Sequence, residues 1–184
     1  LAVGLLVIAI AITAYGILRD YEKATNDAER ARTDLTTTEA LLSDLKDAET
    51  GERGYLLTRD TRYLEPYTAS LPRIRADLAA LTDPGHANAD PTAVWQLRSR
   101  VSAVLTLLAG TVSDEQRGNV ARATALDRAD AAKAAMDTIR TLVDRLSRAE
   151  QTRLHAQALA IYGRRDAVQV LLIGGTTMIL LFLT

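Results

Sequence analysis

Apolar residues recur at spacings of three and four along most of the chain, and this period constrains the fold more than any other feature. The pattern is typical of helices that pack along a narrow seam, and no strand-like alternation interrupts it. Four seams are present: Leu35, Thr38, Leu42, Leu45, Glu49, Glu52 and Leu56; Leu64, Tyr67, Leu71, Ile74, Leu78 and Leu81; Val94, Leu97, Val101, Val104 and Leu108; and Met136, Ile139, Val143, Leu146 and Glu150. The sequence therefore predicts an all-α fold built from four helices.

Turn and capping residues place the boundaries of these helices. Residues 58–61 and 83–85 form turns, and residues 118–119 separate the third helix from the fourth. Asp90 is suited to cap the third helix, with Pro91 at its first position. The predicted helices are about 20–58, 62–82, 91–117 and 119–166.

Residues 1–18 and 167–184 contain no charged side chain. Each segment is close to the roughly 20 apolar residues that cross about 30 Å of hydrocarbon. A cleaved signal peptide is the alternative for the first segment, and a buried core helix is the alternative for the second. The first run is long for a signal peptide and lacks a small-residue cleavage site. We therefore expect two transmembrane helices, the second truncated at Thr184, around a helical region at 19–166.

The helix lengths predict how the bundle stands on the membrane. If the chain alternates direction, the two outgoing helices hold about 66 residues and the two returning helices about 69, a difference of about 5 Å. Both ends then reach the same membrane face. We expect an antiparallel up-down-up-down four-helix bundle, whose long first and fourth helices continue into the transmembrane helices.

Composition excludes several functional classes. The formal charge of −1 gives no argument for a nucleic-acid partner, and the absence of cysteine excludes disulfides and thiolate nucleophiles. The two histidines, His86 and His155, are too far apart in sequence to suggest a metal pair. We find no nucleophile–base pair and no phosphate-binding loop. The sequence therefore predicts no catalytic residue, no cofactor and no metal site.

The segment 46–67, KDAETGERGYLLTRDTRYLEPY, departs from the helical pattern around it. A glycine inside a helix costs about 1 kcal/mol relative to alanine, so Gly51 and Gly54 require a local compensation. We interpret them as residues that permit a close helix approach or a bend.

Charged residues also lie in this part of the seam. Glu49 and Arg53 are four residues apart, the favourable spacing for a helical ion pair. One hypothesis is a partly buried cluster of Glu49, Arg53 and Glu150. The alternative is an exposed ion pair that contributes well under 1 kcal/mol.

Two blocks of the sequence resemble the signature of the third class of CHASE domains, the cyclase/histidine-kinase-associated sensory extracellular domains. The first block consists of Glu49, Thr50, Gly51, Arg53, Gly54, Tyr55, Leu56, Leu57, Thr58, Tyr63, Leu64, Pro66 and Tyr67. The second consists of Met136, Asp137, Ile139 and Arg140, followed by Glu150. The resemblance covers about residues 20–165. The chain departs from it at 130–132, where the family often has a glycine.

The resemblance implies the sensory input module of a bacterial transmembrane receptor, with residues 19–166 periplasmic or extracellular and the spans in the cytoplasmic membrane. Such modules most often belong to homodimeric two-component histidine kinases, and others belong to chemoreceptors or diguanylate cyclases. The cue would be an unknown small molecule or protein. From the residues alone, a purely structural bundle that dimerises and spaces a membrane protein stays open.

Overall fold

The computed structural model describes residues 2–83, 90–118 and 131–156, together with Ala158 and Gly174. The chain divides into two compact units, one formed by Leu1–Ala31 with Gln151–Thr184 and the other by Arg32–Glu150. Within the described residues, the secondary structure is helical and no strand is present. The predicted all-α fold is confirmed.

Helix α1 spans Ala2–Thr58, and a short 3-10 helix at Thr61–Leu64 leads into α2 at Glu65–Leu81. Helix α3 spans Pro91–Gln116. Residues 131–156 are also helical, and we refer to them as α4. The remaining parts of the predicted fourth helix, 119–130 and 157–166, lie outside the described residues apart from Ala158.

Specific side chains and backbone conformations fix the helix ends. The Asp90 carboxylate accepts a hydrogen bond from the Ala93 amide at 2.9 Å, so the predicted cap of α3 is confirmed. Gly118 follows α3 with a φ of +71°, the left-handed conformation that glycine adopts at little cost. Arg59 adopts a similar φ of +58° after α1, although it is not glycine. Its guanidinium lies 2.6 Å from the Glu115 carboxylate, which ties this junction to the end of α3.

All four helices contribute to a single hydrophobic core in the Arg32–Glu150 unit. The predicted seams of α3 and α4 are buried at every position: Val94, Leu97, Val101, Val104, Leu108, Met136, Ile139, Val143, Leu146 and Glu150. Each fully buried apolar side chain of this size contributes about 1.5–3 kcal/mol. These two helices therefore supply much of the apolar interior.

The seam predicted for α1 is wrong in part. Thr38, Leu45 and Glu52 are buried as expected. The other four predicted positions are only half-buried: Leu35, Leu42, Glu49 and Leu56. The residue before each of these is buried instead: Asp34, Leu41, Ala48 and Tyr55. The cause is that α1 buries a face wider than one seam, because it packs into a bundle core rather than against one partner.

The unit formed by Leu1–Ala31 and Gln151–Thr184 is described mainly through α1. Apolar side chains of this helix are exposed, among them Val7, Ile8, Ile12 and Leu18. In the described part of the chain, no helix combines the length and apolar character needed to cross a membrane. Except for Gly174, the predicted span 167–184 lies outside the described residues. Both spans stay predictions.

Candidate functional site

The two glycines of the central motif lie where α1 meets the start of α2. A Cβ atom at position 51 would lie 2.7 Å from the backbone nitrogen of Tyr67 and 3.0 Å from the backbone oxygen of Tyr63. A Cβ atom at position 54 would lie 2.9 Å from the Tyr63 ring. We call these four residues the glycine crossing. The interpretation that Gly51 and Gly54 permit a close helix approach is confirmed.

Glu52 adjoins the glycine crossing and is 8 % exposed. Burial raises the pKa of its carboxyl from 4.5 to about 7, because a desolvated carboxylate is disfavoured. The charge of Arg53 lowers this pKa and the charge of Glu49 raises it, but burial is the largest cause. The Glu52 carboxyl therefore changes between its protonated and its ionised form near neutral pH.

Tyr67, on the α2 side of the crossing, is electrostatically linked to Glu52. Burial raises the pKa of the Tyr67 hydroxyl, and the negative charge of Glu52 raises it further. The charge of Arg75, two turns further along α2, lowers it. The Tyr67 hydroxyl therefore lies within the electrostatic influence of both residues.

The Arg53 guanidinium donates a hydrogen bond to Glu49 at 2.8 Å. The Arg53 side chain is 67 % exposed, so this is the exposed ion pair of the alternative interpretation. Glu150 lies in α4 and is buried. Arg53 therefore does not belong to a buried cluster with Glu49 and Glu150, because its charged end is directed to solvent.

The first sequence block is divided between interior and surface. Its buried members are Gly51, Tyr55 and Tyr67; its half-buried members are Glu49, Gly54, Leu56, Leu64 and Pro66; and its exposed members are Thr50, Arg53, Leu57, Thr58 and Tyr63. The Thr58 hydroxyl donates to the Gly54 carbonyl at 2.8 Å, within the last turn of α1. The block thus describes a helix contact and its surroundings rather than the lining of one pocket.

The second block alternates between core and surface in the same way. Met136 and Ile139 are buried in the core, while Asp137 and Arg140 are exposed and form an ion pair at 2.6 Å within α4.

The family model of the CHASE3 domain matches residues 24–158, which is more than half of the chain and includes both blocks.

The chain belongs to the CHASE3 family. CHASE3 domains are extracellular sensory domains of signalling receptors and are not catalytic. The resemblance to the third class of CHASE domains is therefore confirmed. No curated protein and no solved structure matches the chain.

Ion pairs between helices hold the CHASE3 domain in register. Arg73 of α2 donates to the buried Asp44 of α1 at 2.9 and 3.0 Å, and Arg145 of α4 lies 2.7 Å from the Asp90 cap of α3. Burial and the Asp44 charge raise the pKa of Asp77, while Arg73 lowers it. The sequence did not predict these pairs, because they depend on how separate helices align.

Two changes are possible at the CHASE3 glycine crossing: the neighbouring Glu52 carboxyl can gain or lose a proton, and the packing of α1 against the start of α2 can change. Among the residues that the structure describes, no group of histidine and acidic side chains could hold a metal ion. Glu52 is a functional candidate that the sequence indicates only indirectly, as a charged residue inside an apolar seam, and it is not one of the signature residues.

Proposed function

We propose that the chain is the extracytoplasmic input module of a bacterial transmembrane receptor of the two-component sensor histidine kinase class. Residues 1–18 and 167–184 are then membrane spans in the cytoplasmic membrane, with 19–166 outside the cytoplasm. The family match supports the input role. The exposed apolar side chains along α1, such as Ile8 and Ile12, suit contact with lipid.

We further propose the up-down-up-down topology for the Arg32–Glu150 unit. The contacts between α1 and α2 run in opposite chain order, since Asp44 pairs with Arg73 and Gly51 lies against Tyr67. Neighbouring helices with short connections are typically antiparallel in this way. An antiparallel bundle returns both of its ends to one membrane face, as a receptor with two spans requires.

The observation that carries the proposed mechanism is the glycine crossing with Glu52 beside it. A cue that displaces α1 against α2 changes the burial of an ionisable group, so the two arrangements differ in energy. Ala2–Thr58 is one uninterrupted helix, so a displacement at Gly51 can pass along its backbone to the apolar segment. Moving a population from 1:99 to 99:1 requires about 5.5 kcal/mol of differential binding.

The interior favours a sensor over a passive spacer. Asp34, Asp44, Glu52 and Glu150 are all buried. Asp44 pairs with Arg73 and fixes helix register, which serves a spacer as well as a sensor. Glu52 favours the sensor, because the free energy of its burial depends on its charge and therefore differs between two helix arrangements. We also propose a homodimer, in which two copies of the module move together.

The test is to delete residues 20–165 from the intact receptor and measure phosphorylation of its response regulator across growth conditions. We expect an output that no longer varies with conditions. Two full-length glycine variants are compared as well. Gly51→Ala disturbs the glycine crossing, and Gly110→Ala is its control because it does not. An output that remains regulated after the deletion would contradict the proposal. A chemoreceptor or cyclase output would show itself as an absence of autophosphorylation by the receptor itself.

A further inference from the structure

A groove of about 610 Å³ opens along α2 and α3, within the Arg32–Glu150 unit. Arg75, Ala79 and Thr82 line it from α2, at spacings that place them on one helix face. Arg98 and Ser102 line it from α3, one turn apart. This volume lies within the roughly 300–1,000 Å³ that is common for small-molecule sites.

The groove carries more positive than negative charge. Arg75 and Arg98 line it from two different helices, and Asp83 is the acidic residue of the lining. A guanidinium presents a planar array of N–H donors that matches carboxylate and phosphate groups with two parallel hydrogen bonds. Ser102 adds a hydroxyl group to the same lining. Leu78, Ala79 and Ala80 add apolar carbon to the lining. The groove therefore suits an organic anion, with an apolar body and a carboxylate or phosphate group, rather than a cation.

One of the two arginines is positioned by an aromatic ring. The Arg98 guanidinium carbon lies 5.4 Å from the centroid of the Trp95 ring, one helical turn earlier. Stacking on the ring restricts the guanidinium while leaving its N–H edge available. Trp95 is 64 % exposed and is the single tryptophan of the chain.

We propose that this groove binds a small organic anion with carboxylate or phosphate groups, held between Arg75 and Arg98. Treating the anion as the sensory cue rests on the proposed function, whereas the binding itself does not.

The experiment uses the full chain in phosphatidylcholine nanodiscs and follows Trp95 fluorescence. Succinate, citrate and glycerol phosphate are titrated separately at constant ionic strength, with calorimetry as a second readout. We expect at least one probe to give saturable binding, which Arg75→Gln and Arg98→Gln each weaken about tenfold or more. Arg100→Gln, an exposed α3 variant outside the groove lining with the same charge change, should bind as the wild type does.

Asp83→Asn provides a gain-of-binding variant, since it removes a negative charge from the groove lining. We expect it to tighten binding of the same probe. Affinity that is equal in wild type, Arg75→Gln and Arg98→Gln would overturn the proposal. So would the absence of saturation by every probe up to about 10 mM.

Two further outcomes separate this proposal from its alternatives. A Trp95 response to phosphatidylglycerol nanodiscs, without a response to soluble probes, would overturn it in favour of a lipid headgroup. Binding that depends on both arginines supports the site even if the receptor output does not respond, a result that would contradict only its role as a cue. Absence of binding overturns the site and leaves the proposed function standing.

Discussion

The free energy of unfolding should depend on the protonation of Glu52. Burial raises the pKa of its carboxyl from 4.5 to about 7 in the folded chain. Because the folded state binds this proton more tightly than the unfolded state, the stabilisation is fully present below pH 4.5 and is lost as the pH rises to about 7. A difference of one in pKa corresponds to about 1.36 kcal/mol, so the loss amounts to about 3 kcal/mol at higher pH.

Glu52→Gln isolates this contribution, because glutamine has a similar size and does not ionise. Thermal unfolding of both proteins, followed by circular dichroism from acid to mildly alkaline pH, should give similar stabilities at the acid end. Above pH 7 the variant should be more stable by up to about 3 kcal/mol, which corresponds to roughly 6–12 °C for a chain of this size. The exposed Glu39 of the same helix provides the control, and Glu39→Gln should keep the wild-type pH profile.

Identical pH profiles for Glu52→Gln and the wild type would refute this reasoning. Such a result would mean that water reaches the carboxylate in the folded chain, so that its burial does not disfavour the charge. A difference of about 3 kcal/mol that is the same at every pH would also refute it, because a packing effect does not follow protonation.

Two further substitutions test the packing by thermal unfolding. Gly51→Ala should destabilise the domain by about 1–3 kcal/mol, because the new Cβ atom meets backbone atoms of α2. Gly110→Ala, in open surroundings within α3, should instead stabilise it by up to about 1 kcal/mol, and equal effects would contradict the close approach. Asp90→Ala should cost about 0.5–2 kcal/mol through loss of the α3 cap. Asp90→Asn should cost less, since the amide still caps and only the attraction to Arg145 is lost; equal costs would show that the ion pair dominates.

The sequence predicted the interior of α3 and α4 well because their seams are almost entirely apolar. Val94, Leu97 and Val101 leave no ambiguity about which face is buried. In α1 the apolar spacing places Leu35 and Leu42 in the seam, whereas the structure buries their neighbours Asp34 and Leu41 more deeply. Apolar spacing alone cannot identify the centre of a face that also buries polar residues.

The candidate sites differ in whether the sequence of a single helix can reveal them. Gly51 and Glu52 were visible because each violates a local rule, one of helix propensity and one of hydrophobic pattern. The groove between Arg75 and Arg98 violates no local rule, since exposed arginines are ordinary on helices. It exists only through the alignment of α2 with α3, which no single-helix pattern encodes.

The contrast between the buried faces of α1 and α3 has a consequence for the order in which the domain opens. The buried face of α3 is apolar except for Thr111, whereas that of α1 includes Asp34, Thr38, Asp44 and Glu52. Opening a segment costs less free energy where fewer apolar contacts are broken. Apolar contacts therefore hold α1 less firmly than α3, and α1 carries most of the first block of the family signature.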